Sequence, residues 1–150
     1  MNRNTRMRAC LALLLLSTPA FANTSQDVAD IRKVMDSFHE AVVSHDGERL
    51  GTLFIPEGST WLKVLKSPAT VRVGSYQDFA KFVSTTKSQL DPKHSHIQIH
   101  TDGTIASVYF DFVFLIDGRE ENKGSETWQL VKGGEGWRIA AITYSSAPRL

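Results

Sequence analysis

An α+β domain is predicted by three observations: apolar residues recur every three or four positions in the first half of the chain, they alternate every two in the second half, and 150 residues with 41% apolar and 22% charged side chains make one globular domain. Thr24 and Ser25 precede Asp27, giving hydroxyls and an early negative charge for a helix to about Ser44, with Val28, Ile31, Met35, Phe38 and Val42 as its buried stripe. Asp46-Gly47 ends it. Glu48 to Phe54 reads as a short second helix with Leu50, Leu53 and Phe54 inward, closed by Pro56. The period changes to two from Ser59 to Lys66, a strand ended by Ser67-Pro68, and a shorter extended piece follows from Thr70 to Val73. Ser75 caps a third helix, Tyr76 to about Ser88, with Phe79, Phe82 and Val83 inward.

The remainder reads as strands at His94 to Thr101, Ile105 to Ile116, Ser125 to Lys132 and Trp137 to Tyr144. Asp102-Gly103 has the composition of a two-residue hairpin, and counting from it sets Ile99 opposite Ala106, His96 opposite Tyr109 and His94 opposite Asp111. One face then carries Ile97, Ile99, Ala106, Val108, Phe110, Phe112 and Phe114, and the other carries His94, His96, His100, Tyr109 and Asp111. The apolar face is core. Across the last hairpin, Leu130 lies beside Ile139, Trp128 beside Ala141 and Glu126 beside Thr143. Setting Trp128 against the phenylalanines requires a bulge or an odd loop near Gly118, and it brings Glu126 to the inner face.

Residues 1–22 precede this pattern. Arg3, Arg6 and Arg8, an apolar stretch from Ala9 to Leu16 and the ending Ala20-Phe21-Ala22 predict a cleaved secretory signal peptide, so the mature domain is 23–150 and periplasmic or secreted. Cleavage takes those arginines and the only cysteine, Cys10, leaving a nearly balanced, slightly acidic chain without disulfides. Basic residues spread singly among acids argue against nucleic acid as a partner. Past the leader no apolar run reaches the ~20 residues of a spanning helix, so no membrane association is expected after its removal.

Phe38 with Asp46 eight residues on, the stretch Leu50…Leu53-Phe54-Ile55-Pro56, and the ending Ser125-Glu126-Thr127-Trp128-Gln129-Leu130…Gly136-Trp137-Arg138-Ile139 resemble the nuclear transport factor 2-like superfamily, near its SnoaL-like members. The resemblance spans essentially the whole mature chain. It implies a cone-shaped fold, a cystatin-like α+β roll, in which three helices pack on a strongly curved, mainly antiparallel sheet with a pocket at the open end. It implies no single chemistry, because isomerases, dehydratases, cyclases and binding modules share that frame. The superfamily's steroid isomerase uses a tyrosine on the first helix and a carboxylate on the strand after the second. This chain has Phe38 and the run Thr60-Trp61-Leu62-Lys63 there. A dehydratase-like histidine relay would need an inward histidine, and the counted register turns His94, His96 and His100 outward.

The lead expectation is therefore a protein that binds a small, partly apolar molecule, without a cofactor, in a pocket walled by Phe38, Trp61, Phe79, Phe112, Phe114 and Trp128. The alternative is a SnoaL-like enzyme with Glu126 as acid or base, since a carboxylate beside Trp128 on an apolar face has a raised pKa; the competing reading makes Glu126 a rim carboxylate in water. A third is a homodimer through the outer sheet face with His96 and Tyr109. His94 and His96 at strand spacing two, with Asp111 opposite, are a metal-ligand candidate set, against which stands a solvated or dimer-forming outer face.

Overall fold

The computed structural model describes residues 24–66 and 68–147, and the predicted leader lies outside them. Helix α1 (Thr24–Val43) buries Ile31, Met35, Phe38, Ala41 and Val42 on one stripe, the period the sequence carries. After it, His45 takes φ 60, and Asp46 caps α2 (Gly47–Thr52) by accepting from the Arg49 amide at 2.8 Å. Gly47 is obligatory there, because a Cβ would sit 2.2 Å from the Ala80 carbonyl oxygen. Strands β1 (Thr60–Lys66) and β2 (Ala69–Gly74) form a hairpin whose second strand is exposed throughout. Ser75 caps α3 (Tyr76–Thr85), accepting from the Asp78 amide at 3.0 Å. Of the three residues expected inward on α3, Val83 is buried and Phe79 packs against the core, but Phe82 is 39% exposed.

Four long strands follow: β3 (Leu90–Thr101), β4 (Ile105–Ile116), β5 (Arg119–Gly133) and β6 (Gly136–Ser146). The sheet order is β2-β1-β6-β5-β4-β3, with β1 and β6 parallel and every other pair antiparallel. This is the expected α+β class. Its concave face holds Val108, Phe110, Trp128, Leu130, Ile139 and Ile142 against the stripe of α1.

The two Asp-Gly pairs between sheet strands exchange the roles the sequence reading gave them. Asp117-Gly118, read as part of a loop, is the two-residue turn: Ile116 pairs with Arg119, and φ is 52 and 73, the positive pair of a type I′ hairpin. At Asp102-Gly103, Thr101 pairs with Ala106, because the Asp102 carboxylate accepts from the amides of Thr104 (2.8 Å) and Ile105 (2.9 Å) and so holds a longer turn. Ile99 therefore faces Val108, a shift of two that keeps the faces. Three bulges then set which residues turn inward. One between Phe114 and Leu115 is the irregularity that the Trp128 face required. A second on β6 moves Ile142, not Ala141, beside Trp128, and Tyr144, not Thr143, beside Glu126. The third, between Ser95 and Gln98, has His96 at φ 52 and reverses the facing of everything before it on β3.

Candidate functional site

Where the concave sheet parts from α1 and α3, a cavity of about 340 Å³ remains. Its wall includes Phe38 of α1, Phe79 and Phe82 of α3, Trp61 of β1 and Phe112 and Phe114 of β4, with Ser75, Asp78, His94, Asn122, Glu126 and Tyr144 as polar members. The rings pack on one another: Phe38 stacks on Phe79 at 6.1 Å between centroids, and Trp61 meets Phe79 at 5.2 Å. Such a wall suits a flat, partly apolar molecule and offers it a few oriented polar contacts.

Glu126 lies in the inner row of β5, directly opposite Phe110 on one side and Tyr144 on the other. It opens into the cavity and is half-buried there. Burial raises its pKa from 4.5 to about 7, and the hydrogen bond that Trp128 Nε1 donates to Oε1 at 2.5 Å only partly offsets this. Near neutral pH both protonation states are therefore populated, as an acid–base group requires. Trp128 does not itself line the cavity: it is fully buried, with Phe38 at 4.9 Å and Phe110 at 5.4 Å between centroids, and it holds the carboxyl from behind.

His94 corrects the counted register. The bulge at His96 pairs it with Phe112, and its ring lies 4.6 Å from Phe110 and 6.2 Å from Trp128, inside the cone. Burial and then the neighbouring charge of His39 lower its pKa from 6.5 to about 4, so it stands in the cavity as a neutral imidazole. His96 stays outside, where its Nδ1 lies 3.0 Å from Asp111 Oδ2. The candidate metal set therefore cannot converge, His94 being on one face of the sheet and His96 with Asp111 on the other. Among the described residues no group of three or more His, Cys, Asp or Glu is placed to hold a metal ion.

Sequence reasoning missed several further wall residues, Tyr144 and Asn122 among them. Tyr144 enters the site through the β6 bulge; burial raises its pKa, with the charge of Glu126 acting in the same direction and a hydrogen bond with Trp61 opposing. The spacing of three between Ile139 and Ile142, both buried, is the signal that the strand changes parity. Asn122 stands four residues before Glu126 on the same face, and its Oδ1 accepts from the Ser146 hydroxyl, leaving the amide donors for the cavity. Between them, Gly124 is required by close approach, since a Cβ would lie 2.0 Å from the Ser145 carbonyl oxygen.

Comparison with known proteins follows the same frame. The model of the SnoaL-like domain matches residues 31–149. Among solved structures, a putative dehydratase of the NTF2-like family from Streptomyces avermitilis superposes with a TM-score of 0.69 at 16% identity, covering 85% of this chain and 100% of that one. The beta subunit of a putative aromatic-ring-hydroxylating dioxygenase from Novosphingobium aromaticivorans gives 0.69 at 13% identity, over 85% and 94% of the two chains. A putative scytalone dehydratase from the same organism gives 0.65 at 16% identity, over 82% and 85%. No curated protein matches the chain.

Proposed function

The chain belongs to the SnoaL-like domain family of the nuclear transport factor 2-like superfamily, and on that premise we propose that it takes a small, flat, partly apolar molecule into the cavity and moves a proton on it through Glu126. The observation that carries this reading is a carboxyl that titrates near neutrality and faces an aromatic-lined space. The ring wall positions the molecule, Tyr144 and Asn122 supply polar contacts, and His94, neutral above about pH 4, accepts or donates a hydrogen bond without adding charge. Proton transfer also suits the dehydratase description of two structural neighbours. The leader of residues 1–22 supports an exported protein.

Binding without chemistry is the second reading. It is favoured by Phe38 and Trp61, apolar rings at positions where the steroid isomerase has proton handlers. Native mass spectrometry of the protein from its own host, under gentle and denaturing conditions, identifies a retained molecule. That molecule is then offered to the wild type and to Glu126→Gln. Turnover by the wild type alone, with equal retention by both, supports proton transfer; equal turnover removes Glu126 from the chemistry, and retention without turnover by either leaves the binder.

A further inference from the structure

One row of residues crosses the concave face from strand to strand. Glu126 on β5 pairs with Tyr144 on β6, Tyr144 with Lys63 on β1, and Lys63 with Arg72 on β2. The row starts at the acid in the cavity and ends on two cations. Both belong to the cavity side of the hairpin, since they lie one step along it from Trp61 and Gly74, a pair that lines the cavity. The Lys63 ammonium lies 5.9 Å from the centre of the Tyr144 ring, itself part of the wall.

Like charges directly opposite on a sheet repel and destabilise it. Here neither cation has a carboxylate partner within salt-bridge distance among the described residues. The carboxyls that line the cavity, Asp78 and Glu126, meet neutral donors instead. Asp78 accepts from the Ser75 hydroxyl at 2.7 Å, and Glu126 accepts from Trp128.

We propose that Lys63 and Arg72 form an anion-binding rim, and that the molecule entering the cavity is an aromatic or polycyclic acid whose anionic group rests on this pair while its rings lie on Trp61 and Tyr144. This rests on the reading of the cavity as a small-molecule site and names the class of molecule. With strands about 4.8 Å apart, the backbone of Glu126 lies roughly 10 Å along the row from that of Lys63 and roughly 14 Å from that of Arg72. The anionic group and the atom that exchanges a proton with Glu126 are therefore on opposite ends of the molecule, about two rings apart. An arginine beside a lysine suits a carboxylate, which the guanidinium grips through two parallel N–H donors.

The test uses indolebutyrate and its alcohol, indolebutanol, titrated calorimetrically into the wild type, into the double variant K63Q/R72Q and into E126Q. The wild type is expected to bind the acid about tenfold more tightly than the alcohol at low salt, an advantage that shrinks as ionic strength rises. K63Q/R72Q should bind both equally, with its affinity for the alcohol unchanged, which also shows that the variant is folded. E126Q should keep the preference. An alcohol bound as tightly as the acid, or an acid preference that survives K63Q/R72Q, overturns the rim while leaving the cavity reading intact. Binding of neither probe at millimolar concentration overturns both, and loss of turnover in E126Q bears on proton transfer alone.

Discussion

Two carboxyls are held inside this fold, one toward each end of the concave sheet, and their surroundings differ in one respect. Asp27, under the β5–β6 hairpin, accepts from Lys132 Nζ at 2.6 Å and from Trp137 Nε1 at 3.2 Å, so a cation and a neutral donor meet it. Glu126, toward the open end, has a neutral donor alone. The closed end buries Leu50, Phe54, Leu130 and Ile139, and β6 there bonds back to the segment after α2 through Ile139 N to Leu53 O at 2.8 Å. At the open end the helices stand off the sheet. A buried acid with a cation beside it serves the fold; an acid buried without one keeps its proton near neutrality and stays available for chemistry.

The largest expected effects test where packing stops. Trp128→Ala removes a fully buried ring at the boundary between the two regions and should cost about 3–5 kcal/mol, as should Phe54→Ala at the closed end. Phe82→Ala at the mouth should stay within about 1 kcal/mol, because that side chain is already 39% exposed. Urea denaturation of the three variants measures this, and a mouth variant as costly as Phe54→Ala would mean that the cavity is packed shut.

Next in size are two opposed pH effects. The Glu126 pKa is raised from 4.5 to about 7, so between these values the folded chain holds a proton that the unfolded chain has lost, and stability falls as pH rises. The His94 pKa is lowered from 6.5 to about 4, so the unfolded chain binds the extra proton in that window and stability rises with pH. Each slope is at most about 1.4 kcal/mol per pH unit, and between pH 4.5 and 6.5 they cancel in the wild type. Glu126→Gln should therefore gain stability from about pH 4 to 6.5, and His94→Gln should lose it from 4.5 to about 7. Asp30, Asp102, Asp111 and Asp117, whose hydrogen bonds hold them below the usual range, titrate under that window and drop out of the difference. Urea midpoints across pH for the three proteins decide it; parallel curves would show that neither group is buried as described.

Asp27→Ala comes third. It leaves Trp137 Nε1 without a partner in the buried closed end and unpairs Lys132, at a cost of about 1–3 kcal/mol in the same denaturation assay. A neutral result would mean that water satisfies these donors and that the closed end is less dry than its packing implies.

Period and composition made the elements legible, because helix stripes and strand alternation are set locally. Glu126 was legible too: Trp128 had to join the phenylalanines, and a carboxylate two residues away shares its face. Facing elsewhere depended on bulges, which period alone does not announce. On β6, Ile139 and Ile142 carry the parity change in their spacing. On β3, the buried Leu90 and Pro92 stand at even positions and the inward Ile97 and Ile99 at odd ones. The even spacing of His94, His96 and His100 hides that break, so a strand read from His94 onward places the cavity histidine outside.

The smallest effect concerns that bulge. His96 holds φ 52 without being glycine, which strains the backbone, and its contact with Asp111 is exposed and contributes little. His96→Gly relieves the strain but adds freedom to the unfolded chain, so a net gain under about 1 kcal/mol is expected. The decisive readout is the titration of His94 by NMR. In His96→Gly the bulge is kept, and His94 should still titrate at about 4. Deleting His96 sets Ile97 directly opposite Phe110 and leaves His94 opposite Phe112, on the same face as Ile97 and Ile99, so His94 should again titrate at about 4. A value near 6.5 after the deletion would show that the bulge itself, rather than alternation and packing against Phe110 and Trp128, keeps this histidine in the cone.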